Sequence, residues 1–154
     1  MAAGKWKMYE SAKLAWVNGT IDFDSHAFKI NLYLSTSNAN TLTLATITQL
    51  TDITNQVATN FGYTQNTKAV TIATSNSAGT ETIDETTNPV WTASGGSITA
   101  RFAVIYDDTH ALDMPCFVCL LDTTPADVTA TDGNTLTITM NASGVVQLSG
   151  AAVD

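Results

Sequence analysis

Charge is scarce in this chain of 154 residues, with only 13% Asp, Glu, Lys and Arg, and only six of those residues are cations. Against fourteen acids they leave a formal charge of −8, so most of the surface repels a phosphate backbone and a nucleic-acid partner is not expected. Histidine is as sparse: His26 and His110 are the only two, and no Gly-x-Ser-x-Gly turn accompanies them. Nucleophilic catalysis of the Ser-His or Cys-His kind therefore lacks its base-and-nucleophile pattern, and the chain is not expected to be an enzyme or to carry a cofactor. Apolar runs stay well short of the ~18 residues that a membrane-spanning helix needs, and charges stand where a signal peptide has its apolar segment. The expectation is a soluble protein that is not exported through a signal and has no membrane partner.

Cysteine is nearly absent, and the two present form Cys116-Phe117-Val118-Cys119. At a helix start this spacing would suggest redox chemistry or half a zinc site. Here it sits in an apolar run, and residues three apart on a strand point to opposite faces, so two buried thiols that neither pair nor share a metal are expected. Three carboxylate pairs, Asp22 with Asp24, Asp84 with Glu85, and Asp107 with Asp108, lack calcium-loop spacing and read as solvated turn acids. Both histidines read as ordinary loop residues, and no metal site is expected.

What the chain has in abundance is Thr, Ser, Asn and Gly together with alternating apolar residues, which favours strands and turns over long helices. The stretch Gly95–Asp108 reads as a single strand, with Ile98, Ala100, Phe102, Val104 and Tyr106 on one face and Ala103 and Ile105 on the other. Cover on both faces places it inside layered β structure. Phe28, Ile30, Leu32 and Leu34 alternate with Lys29, Asn31 and Tyr33, predicting a strand with one core face and one wetter face. Residues 42–50 are ambiguous between helix and strand, and 51–62 read as a loop with a short turn. A hairpin is expected over 69–84 with its turn at 75–79. The stretch 123–134 reads as a connection. Residues 135–140 and 145–148 read as a terminal hairpin turning at 141–144.

Met8, Tyr9, Ala12, Ala15 and Trp16 recur at helical spacing before Asn18-Gly19, predicting a short helix over 8–17. The sequence thus divides into an N-terminal arm and helix, 1–17, and one β domain, 18–154. The fold expected is all-β, a two-sheet β-sandwich of jelly-roll or immunoglobulin-like kind. Three of the six cations, Lys5, Lys7 and Lys13, lie in the arm, which makes it a basic segment on an acidic body. Trp6 stands between two of them, where either a core or an intermolecular pocket would suit it. Trp91 is expected in the core.

The segments Asn18-Gly19-Thr20-Ile21-Asp22, Phe28-Lys29-Ile30-Asn31-Leu32, Gly62-Tyr63-Thr64, Val90 to Asp108 and Asp132-Gly133-Asn134-Thr135-Leu136-Thr137-Ile138 stand in an order that resembles a family of small structural proteins of tailed bacteriophages. The resemblance spans nearly the whole chain after residue 17. It implies a head decoration or cement protein that bridges major capsid protein subunits on the outer capsid surface of the virion, after synthesis in the host cytoplasm. It further implies a homo-oligomer, a trimer over a dimer. A tail-associated receptor- or glycan-binding module is the alternative in a different class. Partner contacts are expected from Lys5, Trp6, Lys7, Tyr9, Lys13 and Trp16, with aromatic burial holding what charge steers.

Overall fold

The computed structural model describes residues 4–124, 126–140 and 144–149. In chain order its strands are β1 (Lys7–Met8), β2 (Phe28–Tyr33), β3 (Ala69–Val70), β4 (Ile72–Ser77), β5 (Thr80–Glu85) and β6 (Val90–Thr92). They continue with β7 (Ile98–Ala100), β8 (Phe102–Asp107), β9 (Met114–Leu120), β10 (Val128–Ala130), β11 (Thr135–Thr137) and β12 (Val146–Ser149). One helix, α1 (Glu10–Val17), joins them among the described residues. The protein is all-β, and among the described residues every strand pairing is antiparallel.

The largest sheet has the order β1-β9-β8-β2-β3. Every residue of β8 is buried, as a central strand covered on both faces requires. The single strand expected over 95–108 is in fact two. The chain bends at Arg101, so that β8 lies in the five-stranded sheet while β7 pairs with β10 in another. The bend wastes no backbone group, because the Arg101 N–H donates to the Tyr33 carbonyl at 2.8 Å and its carbonyl accepts from the Leu121 N–H at 3.0 Å. Its guanidinium Nε donates to Asp127 at 2.8 Å. This also corrects the reading of 123–134 as a plain connection, since β10 falls inside it.

The wetter face expected of β2 is covered too. Asn31 is fully buried, and its side chain satisfies itself on Asn66, donating from Nδ2 to Oδ1 at 2.6 Å and accepting from the Asn66 N–H at 3.0 Å. Residues 42–49 form neither helix nor strand, and a single 3-10 turn follows at Leu50–Asp52. The hairpin over β4 and β5 forms, but it turns at Ala78-Gly79, so Ser75–Ser77 belong to the strand. The expected terminal hairpin does not: β11 pairs with β6 and β12 with β5. Residues 141–143 of its expected turn lie outside the described residues. One apolar cluster gathers Ile30, Leu32, Val104 and Phe117 of the large sheet with Trp91, Ile98, Ala130 and Leu136 of the smaller ladders.

The segment Asn60–Tyr63 is a tight turn with Phe61 at φ 51° and Gly62 at φ 89°, closed by the Asn60 N–H to Tyr63 carbonyl bond at 3.0 Å. A Cβ at Gly62 would stand 2.1 Å from the Thr92 carbonyl oxygen, whereas one at Gly79, also at positive φ, would meet nothing within 4 Å. Both positions carry the left-handed cost of about 1–2 kcal/mol for a non-glycine residue. Chemical denaturation should therefore show Gly62→Ala to be more destabilising than Gly79→Ala, because only the former adds a clash with backbone.

Cys116 and Cys119 are free and buried in β9. Burial pushes the Cys119 thiol up to about 11, and burial, reinforced by the Asp107 charge, raises Cys116 well above the ordinary range. The nucleophilic thiolate is thus negligible at neutral pH. A polar disulfide reagent should label neither thiol in the native protein and both after denaturant is added; rapid native labelling would contradict this placement.

Candidate functional site

The sequence placed the partner contacts on an N-terminal arm, but the described part of that arm is built into the sheet. Lys7 and Met8 pair as β1 with Val118 and Phe117 of β9, so the helix expected from Met8 begins only at Glu10. The Gly4 N–H donates to the Leu120 carbonyl at 2.7 Å, and the Tyr9 N–H to the Cys116 carbonyl at 3.0 Å. Strand pairing wins because β9 would otherwise present a long apolar edge to water. Tyr9 corrects the expected contact set: it is fully buried, and its hydroxyl donates to the Ala39 carbonyl at 2.5 Å. Burial also raises its phenol far above the usual range. Trp16 is half-buried, packed edge-on against Phe23 with centroids 5.6 Å apart.

Helix α1 ends as the sequence implied, with Gly19 at φ 72° donating its N–H to the Trp16 carbonyl at 3.0 Å. Its inner side buries Ser11, Ala12 and Ala15. Its outer side shows Lys13 with two aliphatics that sequence reading did not single out, Leu14 at 51% exposure and Val17 at 85%. Glu10 lies one turn before Leu14 and accepts the Leu44 N–H at 2.9 Å, bringing exposed Leu44 toward the same row. Lys5 is exposed and Trp6 half-buried, and both line a groove of about 860 Å³ with Cys119, Ile138, Val146 and Gln147. Lys7 is exposed, its ammonium 3.3 Å from the Asn40 side-chain oxygen. Of the six expected contact residues, Lys5, Trp6, Lys7, Lys13 and part of Trp16 remain at the surface.

A second cluster lies where β2 begins and β8 ends. His26 Nδ1 stands 2.6 Å from Asp107 Oδ2, and since a carboxylate only accepts, Nδ1 carries the proton. Asp107 is fully buried, with Oδ1 accepting the Thr109 and His110 N–H groups at 2.9 and 3.2 Å. Beside it Lys29 pairs with Asp108 at 2.8 Å. These contacts correct two expectations: His26 has a partner, and Asp107 is no solvated turn acid. Glu85 is buried as well, and its carboxylate caps the turn after β5 by accepting the Thr87 N–H at 2.8 Å and the Asn88 N–H at 3.1 Å. Asp22, by contrast, is the exposed turn acid expected, and bonds to the Ser25 hydroxyl and Asp24 N–H hold its carboxyl below the usual range. The His26–Asp107 pair joins residues 81 apart, so no local spacing announced it. An imidazole oriented by a carboxylate is half of a hydrolytic triad, but among the described hydrogen bonds His26 meets no hydroxyl or thiol. Its evident work is to tie the Asp107–His110 loop to the start of β2. Among the described residues no group of three His, Cys, Asp or Glu is placed to hold a metal.

Set against models of protein families, curated proteins and solved structures, the chain matches none.

Removing His26 leaves a buried carboxylate oxygen without its partner. His26→Ala should cost about 3 kcal/mol in chemical denaturation, at the low end for orphaning a buried charge because Oδ1 keeps two backbone donors. Asp107→Asn should cost less, about 1 kcal/mol, because Oδ1 keeps its two backbone donors while the amide nitrogen donates to Nδ1 of the other imidazole tautomer.

Proposed function

We propose that the protein is a structural component of the bacteriophage virion, a decoration or cement protein that binds across seams between major capsid protein subunits. The observation that carries this reading is the N-terminal surface. Lys5, Lys7 and Lys13 are half of all the cations on a molecule of charge −8, and they accompany Leu14 and Val17, which are too exposed to serve this chain's own core. Cations steer an encounter with an acidic surface, and exposed aliphatics gain from being covered. The order of the resembling segments and the Thr- and Ser-rich all-β fold support the same reading. In its finer form the large sheet is one layer of a jelly-roll or immunoglobulin-like sandwich, and the β7–β10 and β6–β11 ladders contribute to the other; the apolar cluster common to them supports this. The protein then assembles in many symmetric copies on the outer capsid surface, with docking by the sheet edge and helix face rather than by a free arm.

Quantitative mass spectrometry of purified particles tests the proposal. Cement is expected in numbers comparable to the major capsid protein, whereas a few copies per particle would favour a receptor- or glycan-binding tail module, and none would reject both. Binding to undecorated capsids should fall most for Trp6→Ala and Val17→Asp, by about 2 kcal/mol or more for an anchor. Lys5→Ala or Lys7→Ala should each cost only ~0.2–1 kcal/mol, as exposed ion pairs do. Circular dichroism of each variant separates lost docking from lost folding.

A further inference from the structure

The three-stranded sheet β12-β5-β4 stands apart from the rest in exposure. Of β4 only Ile72 is even partly covered; Ala73, Thr74, Ser75, Asn76 and Ser77 are all exposed. Among the described residues, strand β4 is also the sheet's edge. The Thr86 N–H donates to the Thr71 carbonyl at 3.0 Å, which fixes the phase of the antiparallel ladder. By the alternation of such ladders, Ala73, Ser75 and Ser77 turn their backbone groups toward β5, and Ile72, Thr74 and Asn76 turn theirs outward. Proteins usually block such an edge with a charge, a proline or a bulge. Strand β4 has none of these: Ile-Ala-Thr-Ser-Asn-Ser is uncharged, free of proline and in unbroken register with β5 over all six residues.

We propose that β4 is a self-association edge, pairing antiparallel with β4 of a second copy across a two-fold axis at Thr74. The outward residues then face one another as Thr74 with its own copy and Ile72 with Asn76, exchanging about six N–H to carbonyl bonds and making one continuous six-stranded sheet. A second copy suits this edge better than a charged partner, since β4 offers no charge for such a partner to read. Identical uncharged strands also bring no like charges face to face, and a Thr–Thr pair across antiparallel strands is favourable. The nearest acids, on β5, end up about three strand spacings, roughly 14 Å, from the β5 of the other copy. That is beyond the screening length of about 8 Å at physiological salt, so the net charge of the two molecules opposes pairing only weakly. The inference is independent of the virion reading, because it needs only this strand and its copy.

Sedimentation velocity of the full chain at physiological ionic strength, over a range of concentrations, tests it. The wild type should show a monomer–dimer equilibrium. Thr74→Lys sets two like charges against each other at the axis, and should weaken dimerisation at least roughly tenfold while the circular dichroism stays that of the wild type. Thr74→Pro removes an outward N–H, a change that edge strands tolerate, and should weaken it similarly. If the proline variant fails to fold, the lysine variant decides. A wild type that stays monomeric up to its solubility limit, or a dimer that both variants leave intact, would overturn the proposal.

Discussion

The requirement that Phe102–Asp107 be covered on both faces and paired on both edges sets the positions of most other elements. A fully buried strand has no water to satisfy its backbone, so β2 and β9 must flank it along its length, and they do so in continuous ladders apart from one irregularity at Ile105/Tyr106. Its two ends are then held by polar devices. At one end Arg101 bends the chain into the next sheet while keeping its amide and carbonyl bonded to β2 and to the end of β9. At the other, Asp107 is buried and accepts bonds from His26, Thr109 and His110.

Such a sheet still has edges, and the way each is treated separates core from surface. On the β9 side the N-terminal residues add β1, which covers an apolar strand and places Tyr9 in the core with its hydroxyl satisfied by Ala39. The same packing turns Lys13, Leu14 and Val17 outward, because the inner side of α1 consists of small residues that let it lie close on the sheet. In the separate β12-β5-β4 sheet, the β4 edge has no partner strand among the described residues. The basic, partly aliphatic end of this small acidic protein is a surface suited to assembly, which is the physical ground for the virion proposal.

Much of this was legible in the sequence. Alternation located β2 and the hairpin of β4 and β5, the apolar run located β9 with its two separated thiols, and Asn18-Gly19 marked the end of α1. Composition disfavoured long helices, and the spacing of alternating strands and turns pointed to an all-β chain. These properties depend on neighbours along the chain: the period-two pattern, the need for positive φ at a turn and the direction of side chains on a strand are local.

What only the tertiary structure decided were relations between distant residues. The break at Arg101 is invisible in an apolar run, because periodicity does not say which sheet a strand joins. The burial of Asn31 depends on Asn66, and that of Asp107 on His26, 81 positions away; each is a polar residue that reads as exposed until its partner arrives. The N-terminal arm became a sheet edge for the same reason: Lys7-Met8 has no strand signal of its own, and the hydrogen-bonding edge of β9 supplies one. Local chemistry thus fixed which segments are strands, while pairing, sheet membership and the fate of buried polar groups followed from the free energy of satisfying backbone and carboxylate groups away from water.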